Sequence, residues 1–126
     1  TPYGYKSAYD NIYCYLALNR MAEIEQMVGN AARANELAGY ARDLKAGYNA
    51  AFWNDNHYIQ VIDEYGAAHD YGCVYLNLEA INYGLASETQ AVAIMDFLSN
   101  ENVVWFRRCI YGISICTKSY NVQQCT

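Results

Sequence analysis

The chain has 126 residues, 54% of them hydrophobic and 17% charged, with a formal net charge of −5 and a pI near 4.8. That length holds one domain at most, and the acidic balance argues against nucleic acid or an anionic membrane as a partner. No apolar run reaches the ~18 residues of a membrane span, and long helical patterns argue against a disordered linker.

The chain opens on Thr1-Pro2-Tyr3 with no initiator Met and no apolar leader, so it is expected to be processed, trimmed or cut from something longer. Tyr9, Tyr13, Leu16, Met21, Ile24 and Val28 then recur near helical spacing, with Ile12 and Tyr15 broadening the apolar surface. This pattern predicts a helix over 7–28. Gly29 reads as its stop and Asn30 as the next N-cap. From 31 to 52 the stripe narrows to Ala34, Leu37, Ala41, Leu44, Tyr48 and Ala51, with polar residues around it, so a second, one-sided helix is expected.

Asn54-Asp55-Asn56 reads as a turn. The β-formers of His57–Ile62 predict a short strand, half of a small hairpin within 57–66. After a polar loop, Val74–Tyr83 is apolar nearly all round, broken only by Asn77, Glu79 and Asn82, so this helix must be enclosed. Gly84 ends it. Ser87 and Gln90 have capping-box spacing at the head of a fourth helix over 88–98. A broad-faced helix thus precedes a narrow-striped one twice, the pattern of antiparallel helical hairpins with an inner and an outer layer. The shared core is expected to include Tyr13, Leu16, Ile24, Leu37, Leu44, Tyr48, Leu78, Ile81, Ile94 and Leu98.

The final segment, 101–126, has no helical stripe. Val103–Phe106 and Ile110–Cys116 read as strands, an atypical C-terminal β-ribbon beside the helical part, 1–100.

Five cysteines are present, and no pair has the CxxC spacing of a zinc or redox site. Cys14 and Cys73 read as core residues. Cys109, Cys116 and Cys125 could supply one disulfide in a secreted protein. Neither a metal site nor a cofactor site is expected, and no Gly-rich phosphate loop or nucleophile elbow is present.

The phrases Asn49-Ala50-Ala51-Phe52-Trp53, His69-Asp70-Tyr71-Gly72 and Asn77-Leu78-Glu79-Ala80…Tyr83-Gly84-Leu85-Ala86, in this order and spacing, resemble the six-hairpin glycosidases, in particular the α-L-rhamnosidase-like and related bacterial members. The resemblance runs from about Tyr5 to Asn100 and covers about two of the family's six hairpins. It implies part of an (α/α)6 barrel with a short β-hairpin insertion, and a glycoside hydrolase or a fragment of one. Four helices cannot close such a barrel, so the uncovered faces of the broad helices would favour self-association. The C-terminal segment departs from the pattern, which continues with further helical hairpins.

In that family the loops entering the inner helices build the active-site rim. Carried over, this gives Tyr3–Asn11 and His69–Asn77, where Asp10 and Asp70 are the only acids. Glycoside hydrolysis generally needs two carboxylates, so these are the candidate catalytic pair. Tyr5, Tyr9, Asn11, His69, Tyr71 and Asn77 are candidate binders of an oligosaccharide or glycoside. The residues alone leave simpler roles open: Asp10 as a capping carboxylate, Asp70 as a turn residue and His69 as a loop hydrogen-bonding residue. Glu79 lies in the apolar helix and needs a partner, which Arg20, Lys6 or a tyrosine hydroxyl could provide. The 14 tyrosines, crowded before both broad-faced helices, suit either a wet core or a sugar site. A non-catalytic helical module that binds a protein partner through a Tyr-rich concave face is the alternative.

Overall fold

In the computed structural model, residues 5–99 are described in full, together with the backbone of 104–109 and 112–117. Among the described residues four helices carry the fold, as the residue pattern predicts. Helix α1 spans Ala8–Met27, and the Ser7 side chain caps it by accepting from the Asp10 amide. Gly29, in the left-handed region at φ 86°, reverses the chain. Asn30 then caps α2, Ala31–Phe52, by accepting from the Arg33 amide. So short a connection sets the two helices antiparallel.

Small strands follow. β1 is Lys6–Ser7, ahead of α1, and β2, Trp53–Asn54, pairs with β3, His57–Tyr58, across a turn in which Asp55 takes φ 60°. β4, Val61–Ile62, lies between β1 and β5, Ala68–His69, in one three-stranded antiparallel sheet. The β4–β5 loop is organised by Asp63, whose Oδ1 accepts the amides of Tyr65 and Ala67. Only part of this was expected. The β-formers of 57–62 mark β3 and β4, whereas nothing in the sequence marks β1, β2 and β5, because two residues carry no readable period.

Helix α3, Val74–Asn82, ends at Gly84, φ 79°, and the next amide, of Leu85, bonds back to the Ala80 carbonyl. The Ser87–Gln90 capping box then opens α4, Glu88–Ser99: each backbone amide donates to the other's side chain, at 2.9 and 3.2 Å. Among the remaining residues, β6, Val104–Cys109, pairs antiparallel with β7, Gly112–Thr117. The disulfide considered for Cys109, Cys116 and Cys125 concerns side chains outside the described residues.

α1 and α3 lie side by side in the same sense. Tyr9 of α1 meets Cys73 at the start of α3, and one turn on Tyr13 meets Glu79 and Tyr83. α2 and α4 follow as their hairpin partners. The core between the layers holds Ile12, Tyr48, Phe52, Tyr58, Leu76, Leu85 and Ile94. Leu37, Tyr48 and Ile94 are buried as expected, and Leu44, Ile81 and Leu98 pack against the core in part. Leu16 is half-buried. Tyr13, Ile24 and Leu78 correct the expected core, being 49%, 59% and 39% exposed. Apolar spacing alone does not bury them: Tyr13 touches α3 through Glu79 and Tyr83 yet stays half open to solvent. Cys14, expected in the core, is exposed, and Cys73 is half-buried; both are free thiols.

Candidate functional site

The sheet β1-β4-β5 fastens the entrance of α1 to the entrance of α3. Register places Ser7 and His69 on either side of Val61, so the two chain segments expected to form a rim emerge from one sheet. Tyr9 closes the junction, with its hydroxyl 3.3 Å from Cys73 Sγ. Tyr5 is exposed, with Lys6 Nζ 5.7 Å from its ring centre. Asp10 is also exposed, in the first turn of α1, where a negative charge is favoured by the helix dipole. Tyr3 lies outside the described residues.

The candidate residues around α3 serve mainly to hold the loop. The Asp70 carboxylate accepts from the Gly72 amide at 3.0 Å and Asn54 Nδ2 at 3.1 Å, and lies 2.7 Å from His57 Nε2. Burial opposes its ionisation, but the bonds from His57, Gly72 and Asn54, with the charge of His57, hold its carboxyl below the usual range. His57 is itself buried, with Nδ1 2.6 Å from Asn56 Oδ1 and its ring stacked on Phe97 at 4.1 Å. This buried pair ties the β2–β3 hairpin, the α3 entrance and α4 together. The residue pattern gives His57 only a place in a short strand; its pairing joins β3 to the loop before α3, thirteen residues further on.

His69 points away from Asp70 along the strand alternation and lies 2.9 Å from Asp63 Oδ2. That contact, with the Ala67 and Tyr65 amides, holds the Asp63 carboxyl below its ordinary value. Both members of the pair are partly open to solvent. Tyr71 is half-buried in the same loop.

Asn77 corrects the expectation that it binds substrate. It is fully buried, its Oδ1 accepts the Tyr58 amide at 2.8 Å, and its Nδ2 donates to the Cys73 carbonyl at 2.9 Å. The physical reason is that β3 is only two residues long and needs a side-chain amide to satisfy its backbone. Asn11 is half-buried and donates to the Ser7 carbonyl at 2.8 Å. With Lys6, Leu44, Gly47, Tyr48, Ala51 and Phe52 it lines a cleft of about 330 Å3 between α1 and α2.

Glu79 accepts from the Tyr13 hydroxyl at 3.0 Å, so a tyrosine provides the partner that this acid requires. Its Oε2 and the Tyr48 hydroxyl are buried without a hydrogen-bond partner among the described residues. Burial raises the pKa of Tyr9 and of Tyr48, and the Glu79 carboxylate adds to both shifts. No group of three or more metal-ligating side chains occurs among the described residues. No helix there is long and apolar enough to cross a membrane. Compared with known proteins, the chain matches no family model and no curated sequence.

Proposed function

We propose that the chain is a carbohydrate-active helical-hairpin module, two hairpins of a wall of the six-hairpin glycosidase type, that takes a glycoside at the end where α1 and α3 begin. The observation that carries the reading is the parallel pairing of α1 and α3, with both entrances fastened by one sheet. It delivers Tyr5, Tyr9, Asp10, His69, Asp70 and Tyr71 to one end of the molecule. Tyrosine faces and hydroxyls there meet the needs of a polyhydroxyl ligand. In the enzymatic form of this reading Asp10 and Asp70 are the carboxylate pair. Asp10 meets solvent, and Asp70 is held ionised by its neighbours.

The test is turnover and binding on a panel of aryl glycosides and oligosaccharides. Loss of turnover in both Asp10→Asn and Asp70→Asn, at a melting temperature that leaves each variant folded at the assay temperature, supports an enzyme. Binding without turnover leaves the module a binding subsite. A wild-type chain that neither binds nor cleaves any glycan in the panel refutes the reading.

A second reading is favoured by the exposure of Met21, Ile24 and Met27 on α1 and of Val28 just after it. Exposed apolar patches of this kind mark association surfaces, so the module would bind a protein partner or its own copies. Concentration-dependent sedimentation distinguishes that reading from a monomeric glycan binder.

A further inference from the structure

We propose that the cleft between the start of α1 and the second half of α2 is a binding slot for one small hydroxyaryl carboxylate. This ligand and its site are separate from the glycoside and the rim of the reading above, and neither depends on the other. The cleft, of about 330 Å3, is lined wholly by β1, α1 and α2. That volume lies at the small end of ligand pockets and holds a single ring rather than an oligosaccharide.

Gly47 makes the α2 wall of the cleft flat. It stands inside a helix, where glycine costs stability relative to Ala. No packing demand in the fold explains it, because a Cβ there would meet nothing within 4 Å. Leu44, Gly47 and Ala51 share one face of α2. The missing side chain leaves helix backbone open between Leu44 and Ala51, both half-buried, with the buried rings of Tyr48 and Phe52 behind them. Glycine permits a ligand to approach backbone closely, and a planar ring is the shape that lies against such a wall.

Two polar groups edge the slot. Lys6 is exposed, and its ammonium, 5.7 Å from the centre of the Tyr5 ring, has no carboxylate partner among the described residues. Its four-carbon stem is flexible, so the charge can turn to a ligand. Asn11 is fixed by donating Nδ2 to the Ser7 carbonyl, which leaves Oδ1 an acceptor with no donor among the described residues. No acid lines the cleft, and Asp10, the neighbour of Asn11, is exposed outside it. An ammonium and a carbonyl oxygen beside an apolar slot call for an anion at one end of the ligand and a hydroxyl donor elsewhere on its ring.

The test is titration of the whole chain, followed by amide shifts in solution, with 3- and 4-hydroxybenzoate, benzoate and methyl 4-hydroxybenzoate. Wild type, Gly47→Leu and Lys6→Met are compared, each with its melting temperature. The expected result is saturable shifts at Asn11, Gly47 and Ala51 with a hydroxybenzoate, and weaker binding of benzoate and of the ester. Gly47→Leu fills the slot with a better helix former, so binding should fall about 10-fold or more at a melting temperature no lower than that of wild type. Lys6→Met keeps the apolar stem and should weaken the acid roughly 2–5-fold, the scale of an exposed ion pair, while leaving the ester unchanged. Gly47→Leu binding like wild type overturns the proposal. So does a wild type that binds no hydroxybenzoate, or that binds benzoate or the ester as tightly as the hydroxy acids. Hydroxybenzoate shifts confined to 69–79 would place the ligand at the rim and overturn it as well. Glycan binding is read in a separate titration, so the carbohydrate reading stands or falls on its own.

Discussion

Replacing Asp70 by Ala should unfasten three elements at once. The side chain is 13% exposed and takes hydrogen bonds or close contacts from His57, Asn54 and the Gly72 amide. Its removal strands the buried His57, whose Nε2 has no other partner among the described residues. At about 1 kcal/mol net for each neutral bond and more for the bond to a charged partner, the loss is roughly 3 kcal/mol. That agrees with the 3–5 kcal/mol typical of breaking a buried pair by removing one partner. For a domain of this size roughly 3 kcal/mol corresponds to a fall in melting temperature of about 10–20 °C. Urea denaturation followed by circular dichroism reads the same loss as a lower midpoint at unchanged slope. The pH dependence provides a second check. Because the folded carboxyl lies below its ordinary value, its contribution is fully present above the unfolded pKa and is lost as pH falls through the folded one. The gap between wild type and Asp70→Ala should therefore be largest near neutral pH and shrink as the solution passes below the usual carboxylate range. A melting temperature lowered by less than about 3 °C, or a gap that widens in acid, would refute the reasoning.

Asn77→Ala should cost roughly 1–3 kcal/mol, because the buried Tyr58 amide loses its acceptor; thermal unfolding measures it, and an unchanged midpoint counts against the tie between α3 and β3. Phe97→Ala should cost roughly 3–5 kcal/mol through the cavity it leaves against His57, again read from the urea midpoint. Gly84→Ala forces a side chain into φ 79° at the end of α3 and should cost about 1 kcal/mol through backbone strain alone, since nothing lies within 4 Å of the added carbon. A midpoint equal to wild type would show that the turn relaxes.

The helices were legible because each carries its own period and punctuation. Gly29, Asn30, Gly84 and the Ser87–Gln90 box are local signals, acting within one turn of the chain, and the structure uses each of them. Burial was less legible. Tyr13, Ile24 and Leu78 are apolar at helical spacing, but what covers a helix is decided by neighbours distant in sequence. The candidate site was legible as two segments and not as contacts. The sheet that fastens the segments uses two-residue strands, too short to show alternation. His57 found its partners across a hairpin and a loop, and Asn77 was diverted into the core by the backbone needs of β3. Polar residues of this kind acquire roles only when the chain has closed.

The central claim, that the end of the molecule where α1 and α3 begin receives a glycoside, is tested most directly by mapping amide shifts in solution while the whole chain is titrated with a panel of neutral oligosaccharides. The account predicts saturable shifts concentrated at 5–13 and 69–79, with the far ends of α1 and α4 unmoved. Saturable shifts confined to the outer faces of α2 and α4, or none with any glycan in the panel, would contradict it.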